Sequence, residues 1–426
     1  MLNYKYLIVG CGMTGDAAVR GIRQADPDGS IGMVGAEPHP PYDRPPLSKG
    51  LWKGKRLESI WRKAAEQEAI LHLGRTVKTL DLAEKRIVDD RGTIYTFKKL
   101  LLATGAAPRR LPIDDDLKST SGAVTTVFEG GKRRILPIDD DRIVYFRSLD
   151  DYLRLRTLSE RGNRFLVVGG GFIGAELAAA LSMEGKQVTM IFPTEAVSSH
   201  LFPASLAGFL SRYYREKGVE VLDSEFLDPE SLERRDLTLA LKTGHGREIV
   251  VDGVVAGIGV QPNVELARAA GLKVADGICV DTSLRTSHAD VYAAGDVAEF
   301  YNPALDQRIR VEHEDNANTM GAMAGRAMAG ESVNYDHQPF FYGDLFDLGY
   351  EAVGLIDSRL ETVEDWKEPY RQGVVYYLRE GRVRGVLLWN VWGQVEAARQ
   401  LIASTNRFAA DELRGRIGGW ALGSGE

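Results

Sequence analysis

Residues 164–181 read RFLVVGGGFIGAELAAAL. An apolar run precedes three glycines spaced Gly169-x-Gly171-x-x-Gly174, and an alanine-rich stretch follows. That order predicts a buried strand, a tight turn and a helix. In such a turn the first glycine makes the bend and the second lets backbone meet a pyrophosphate. The third lets helix and strand pack closely. The helix N-terminus then offers free N–H groups to the anion. Downstream, QVTMIF (187–192) predicts a second strand, with Glu195 just past it as an acid for a ribose hydroxyl.

The chain opens with the same design. YLIVGCGMTGDAA (6–18) carries Gly10-x-Gly12-x-x-Gly15 between a strand and a helix, and the next strand, SIGMVG (30–35), runs to Glu37. Three further strands end on glycine: KLLLATG (99–105), VVAGIGVQPN (254–263) and ADVYAAGD (289–296). One such loop is a weak signal, because glycine is common in turns. Two, each with strand, helix and following acid, predict two dinucleotide sites in one chain. After Pro339 the pattern changes to aromatic and β-branched runs with turn glycines, FFYGDLFDLGYEAVGLI (340–356) and GVVYYLREGRVRGVLLWN (373–390), which read as strands and a hairpin.

The length of 426 residues fits two to three domains. Hydrophobic residues at 44% and charged residues at 27% are a normal mixture for a protein with real cores. The formal charge of -7 argues against a nucleic-acid partner. No apolar stretch is long enough for a membrane span, and the first strand starts almost at Met1, so cytoplasmic residence is expected. Cys11 and Cys279 form no Cys-x-x-Cys pair, which excludes a local dithiol motif. The hexapeptide LPIDDD occurs at 111–116 and again at 136–141. It reads as a solvated excursion rather than a metal site, since calcium would want spaced carboxylates and a turn glycine. No metal is expected.

The ordered set VGCGMTGDAA, PYDRPPLSK, LLATGAAPR, GGGFIGAELAAAL, GIGVQPNVELARAAGL and VYAAGDVAEF resembles the two-dinucleotide flavoprotein reductases. Within them, the match is to the branch holding ferredoxin and rubredoxin reductases and apoptosis-inducing factor. RVEHEDNA (310–317) and the two C-terminal runs are most similar to apoptosis-inducing factor and its bacterial relatives. The resemblance implies an α/β protein with two Rossmann-like three-layer nucleotide domains of the glutathione reductase kind and a C-terminal α+β domain. The implied order is FAD domain 1–125, NADH domain 126–252 with a polar linker over 111–146, FAD domain again over 253–335, and C-terminal domain 336–426.

The resemblance also implies FAD in the first loop and NADH in the second. Carried over residue by residue, Gly10, Gly12 and Gly15 hold the FAD pyrophosphate and Glu37 its ribose. Arg44, Lys49, Val77, Thr104, Gly105, Arg147 and Asp296 match other FAD positions. His313 lies under the flavin, and Tyr342, or less readily Phe341, falls where a tryptophan stands beside it. Gly170, Gly171, Phe172, Ile173, Gly174, Glu195, Gly259, Glu312 and Glu351 surround the NAD. Lys49 pairs with Glu176 beside the reacting flavin nitrogen, so Lys49, Glu176 and His313 are the expected catalytic residues.

A carboxylate at Glu195 with no neighbouring Arg or Lys favours NADH over NADPH, although in the family pattern the acid stands one place earlier, at Thr194. The acceptor stays open between a ferredoxin- or rubredoxin-type carrier, a quinone and oxygen. An alternative, implied by apoptosis-inducing factor, is a redox sensor whose long-lived reduced flavin–NAD charge-transfer complex controls homodimer or partner binding.

Overall fold

The computed structural model describes residues 1–111, 125–129, 132–136 and 142–420. The repeated LPIDDD segment therefore lies almost wholly outside the described residues.

The first strand, Leu2–Val9, alternates little and is buried on both faces towards its end, as a parallel central strand should be. It pairs in parallel with Ile31–Val34 on one side and Ile94–Leu102 on the other. Ala69–His72 extends this sheet beyond Ile31–Val34, while Arg86–Asp89 and Val77–Asp81 form an antiparallel flank. The seventh strand, Val291–Ala293, returns from far along the chain to lie parallel with Leu100–Leu102. The first unit is thus split in sequence and joined in space.

The second sheet holds Ile143–Tyr145, Gly253–Ala256, Arg164–Val168, Gln187–Ile191 and Glu220–Leu222 in that order, all parallel. Gly253–Ala256 sits inside it, hydrogen-bonded to both Ile143–Tyr145 and Arg164–Val168. The return to the first unit therefore begins after this strand and not at residue 253 as expected. Strand Val260–Pro262 then crosses antiparallel to Ala106–Pro108, tying the two units at their junction.

Helix Met13–Ala25 crosses helix Glu314–Met328 at very short range. A Cβ on Gly21 would collide with the Ala322 carbonyl, on Gly321 with that of Thr14, and on Gly325 with that of Ala18. Small residues on both faces allow this approach, which carries His313, the cap of the second helix, towards the first glycine loop.

The C-terminal sheet is antiparallel, ordered Phe340–Leu345, Leu348–Gly354, Arg382–Trp389, Gln372–Arg379, Glu361–Glu368. Helix Val395–Ala403 buries Ala398, Leu401 and Ile402. The other face of the sheet shares a core with the second unit. There the Tyr350 and Trp389 rings lie parallel at 5.8 Å, and Phe202 meets both edge-on. Aromatic pairs of this geometry contribute about 0.5–1.5 kcal/mol beyond their buried area. Among the described residues, no helix is long and apolar enough to cross a membrane.

Candidate active site

The two glycine loops share one division of labour. A Cβ on Gly10 would strike the Ala103 carbonyl, and one on Gly15 would strike that of Gly10. Gly169 and Gly174 are blocked in the same way by the carbonyls of Gly257 and Gly169. The middle glycines differ. A Cβ on Gly12 would meet nothing within 4 Å, and one on Gly171 only His200 Cε1 at 3.7 Å. Both middle glycines are N-caps of helices, without a side-chain cap. Each loop thus keeps an open space at a helix N-terminus, the shape and polarity a pyrophosphate needs. Gly105 is likewise open, at a φ of 65°.

Beside these loops lies a cavity of about 880 Å³. One wall comes from the proline loop. Pro45–Ser48 and Gly50–Lys53 are short 3-10 turns, anchored by buried Leu47 and Trp52, whose indole N–H donates to Leu47 O at 2.8 Å. Lys49 sits at their junction and points into the cavity. Its Nζ lies 2.8 Å from Glu176 Oε2, and the Ser48 hydroxyl donates to the same oxygen at 2.7 Å. Glu176 is only 3% exposed on helix Phe172–Met183. Burial pushes its carboxyl up, against the opposing pull of Lys49 and Ser48. Lys49 also stands over the Tyr342 ring, 5.3 Å from its centre.

The opposite side carries His313, Phe341 and Phe172. The imidazole stacks on Phe341 at 4.2 Å and 18°, and Phe172 meets both rings edge-on. Burial pushes His313 down to about 4, so the ring is neutral at pH 7. Arg147 and Asp296 form an ion pair on the cavity wall, and Arg310 bridges Asp276 and Glu312. The charges are matched locally, which is what a partly desolvated site requires.

The cavity lining thus brings together Arg44, Lys49, Arg147, Asp296, His313 and Tyr342 from the expected FAD set. From the NAD set it adds Gly170, Gly171, Phe172, Ile173, Gly259 and Glu312, with Glu176 between the two. Other expected residues lie elsewhere. Glu37 is held below the ordinary carboxylate range: burial raises it, but the Arg44 guanidinium and the Tyr42 hydroxyl outweigh that. Thr104 and Asn263 exchange side-chain-to-backbone hydrogen bonds at 2.8 Å, locking the crossing between the units. Val77 begins the edge strand of the first sheet.

Two expected NAD contacts stand apart from this cavity. Glu195 and Thr194 are both exposed; Thr194, three residues past strand Gln187–Ile191, lies in the lining and Glu195 does not. Glu351 accepts from the Gly393 N–H at 3.3 Å. The Cys11 thiol is pushed up to about 12 by burial.

Sequence reasoning missed Ser48, His200 and Asn318. Ser48 had a signal, adjacency to Lys49 in a proline-pinned loop. His200, six residues beyond Thr194, had none. Asn318 is held by Arg62, which also binds buried Asp16 at 2.7 Å and Asp43 at 2.7 Å. Asp315 was also missed; it accepts from His337 at 2.6 Å and pairs with Arg399, fastening the helix under His313 to the C-terminal helix. Among the described residues, no cluster of three His, Cys, Asp or Glu could hold a metal.

The profile of the family described as "Pyridine nucleotide-disulphide oxidoreductase" matches residues 4–321. That of "Apoptosis-inducing factor, mitochondrion-associated, C-term" matches 324–369 and 364–404. The chain is 31% identical to "Apoptosis-inducing factor 1, mitochondrial" of Dictyostelium discoideum, over 94% of this chain and 78% of that protein. It is 32% identical to the "Anthranilate 1,2-dioxygenase system ferredoxin--NAD(+) reductase component" of Burkholderia cepacia, over 94% of each. The reductase in the solved covalent putidaredoxin reductase–putidaredoxin complex superposes with a TM-score of 0.84 at 28% identity, covering 95% of this chain and 94% of that one.

Proposed function

From a chain that belongs to the pyridine nucleotide-disulphide oxidoreductase family, we propose an NADH oxidoreductase that hands electrons to a ferredoxin-type carrier protein. It is a flavoprotein enzyme whose cofactors are FAD and NADH. The open positions at Gly12, Gly105 and Gly171 fit these groups, since each leaves room at backbone where a side chain would intrude. We assign FAD to the split first unit and NADH to the unit that interrupts it, with the boundary after Ala256.

Bound FAD supplies a ring that takes a hydride from a nicotinamide and releases the electrons in a later step. The chain's own residues orient and exclude. Gly12 and Gly171 present helix N-termini to the two pyrophosphates. Arg147 and Asp296 fix each other at the cavity wall, and Phe172 shields the ring cluster from water. Lys49 and Glu176 are the groups we assign to the reacting centre, because their contact joins the proline loop to the helix of the second glycine loop. That junction carries the reading: it is where two bound dinucleotides would meet. Neutral His313 adds an aromatic face without adding charge.

The carrier is supported by the ferredoxin-reductase relatives and by the putidaredoxin complex. A second reading, a redox sensor, draws support from the C-terminal match to apoptosis-inducing factor. Anaerobic titration of the purified protein with NADH, followed by visible absorbance, tests both. Bleaching followed by fast recovery with a ferredoxin supports the reductase. A long-wavelength band that outlasts ferredoxin and oxygen supports the sensor, and no bleaching at all overturns both readings.

A further inference from the structure

The C-terminal sheet gathers cations at one end. Strands Gln372–Arg379 and Arg382–Trp389 are joined by a two-residue turn, Glu380 and Gly381, across which Arg379 and Arg382 stand directly opposite each other. Like charges so placed repel. Arg384 follows on the second strand, and Arg407 lies along the turn, its Cβ 3.4 Å from where a Cβ on Gly381 would stand. Four cations thus meet at the end of one hairpin, in a chain whose formal charge is -7.

The ladder is irregular at this point. Tyr377 pairs with Gly385 and Leu378 with Val383, which leaves Arg384 as the extra residue of a β-bulge. Bulges re-aim side chains and concentrate beside functional sites. Here the Arg384 guanidinium reaches the carbonyls of Ala304 and Leu305, and the residue is only 6% exposed. Among the described residues, no carboxylate pairs with it. Its Nε and that of Arg382 are both buried without a hydrogen-bond partner. Burial lowers the Arg384 pKa, Arg382 and Arg379 lower it further, and Asp306 opposes them.

The neighbouring acids are engaged elsewhere or stand apart. Asp306 accepts from the Tyr301 hydroxyl, and Asp357 is held by Arg359. Glu380 occupies the turn itself. Among the described residues, Arg379, Arg382 and Arg407 form no ion pair. Four cations against Asp306 and Glu380 leave an excess of two positive charges. Cations crowded in this way call for an anion, and arginine forks match phosphoryl oxygens two at a time. None of the four arginines lines the large cavity. Arg382 stands six residues along its strand from Leu388, which is level with Glu351 and through it with Tyr342, a rise of roughly 20 Å.

We propose that Arg379, Arg382, Arg384 and Arg407 form a binding site for a phosphoryl anion of charge two or more, free or carried by a small molecule, at the end of the C-terminal sheet remote from the cofactor cavity. Arg379, Arg382 and Arg407 supply the N–H donors, and buried Arg384 supplies a fixed positive charge beside them. The site goes beyond the oxidoreductase reading and does not depend on it.

Isothermal titration at constant ionic strength tests this, with the FAD-loaded protein kept in excess NAD+ so that the dinucleotide loops are already filled. Inorganic pyrophosphate should bind saturably, one per chain, with a Kd below about 1 mM. Arg382→Gln and Arg407→Gln should each weaken it at least about tenfold. Arg382→Lys keeps the charge but loses the fork, and should weaken it about fivefold. Arg268→Gln, which removes an exposed cation from helix Glu265–Ala269, should leave binding unchanged. Without ligand, Arg382→Gln should melt no lower than the native protein, because it removes one of two opposed cations. ADP bound more tightly than pyrophosphate assigns a nucleotide ligand, and the reverse assigns the free anion. The site is overturned by absence of saturable binding, by binding unchanged in both glutamine variants, or by an equal loss in Arg268→Gln. Citrate bound as tightly as pyrophosphate overturns the phosphoryl assignment. A ligand-free Arg382→Gln that melts several degrees below the native protein overturns the unpaired role of that arginine, and Arg407→Gln then decides the site alone.

Discussion

Lys49 Nζ and Glu176 Oε2 stand 2.8 Å apart although 127 positions separate them in sequence. Their side chains are 12% and 3% exposed, so neither can turn to water if the other is lost. Removing one partner of such a pair costs about 3–5 kcal/mol, whereas removing both for apolar groups costs far less. Lys49→Met and Glu176→Leu should therefore each lower stability by about 3 kcal/mol, and the double variant by clearly less than their sum. Urea unfolding of all four proteins decides it; simple additivity would mean the pair is not a unit.

The two kinds of loop glycine should fail differently. Gly12→Ala places a methyl in open space at an ordinary φ of -89°, so the fold should hold within about 0.5 kcal/mol while FAD retention drops. Gly10→Ala combines a φ of 121° with a backbone collision and should unfold the first unit at ordinary temperature. Thermal melts alongside flavin content after gel filtration separate the outcomes. Equal melting temperatures for the two variants would contradict this account.

His313 makes stability depend on pH. Its folded value of about 4 lies below the roughly 6.5 of the unfolded chain, because burial disfavours the charged ring. The native state therefore binds fewer protons between these values. Its full contribution is present above pH 6.5 and is lost as the pH falls towards 4. The loss attributable to this ring should be about 3 kcal/mol, and His313→Gln should abolish it. Denaturant titrations at pH 7.5 and 4.5 measure the difference; the same decline in the variant would assign it to other groups.

Nicotinamide preference should not depend on Glu195, which is exposed and outside the cavity. Glu195→Ala is expected to leave the NADH/NADPH ratio of kcat/KM within about twofold. Thr194→Arg, placing a cation in the loop after strand Gln187–Ile191 at a position that does line the cavity, should move that ratio towards NADPH by about tenfold or more. Steady-state kinetics with both nucleotides would show it, and a large effect at Glu195 alone would restore the carboxylate to the ribose site.

The paired glycine loops were legible because their chemistry is local: a bend, an open backbone and a helix start all fall within six residues. The Lys49–Glu176 contact was reached through resemblance, since nothing in either local sequence points to the other. Arg62 with Asp16, and Asp315 with Arg399, escaped for that reason; each pair joins elements whose meeting depends on the whole tertiary arrangement. Gly253–Ala256 was assigned to the wrong side of a boundary because a buried parallel strand reads alike in either sheet. At Glu195 the cavity lining differs from the expectation by one residue, taking in Thr194 instead. Where a strand gives way to a loop, alternation no longer dictates side-chain direction.

Strand Val291–Ala293 completes the first sheet only after roughly 190 residues have been made beyond Leu102, its partner. At about 5–20 residues per second, a ribosome leaves that edge open for about 10–40 s. During that interval the nascent first unit carries an uncovered row of backbone donors and acceptors, while the unit that interrupts it is already emerging as a contiguous piece. Birth order and structural order thus disagree. The nascent chain's first sheet closes only after the second has been made, and the interval before closure is when a chaperone would have most to hold.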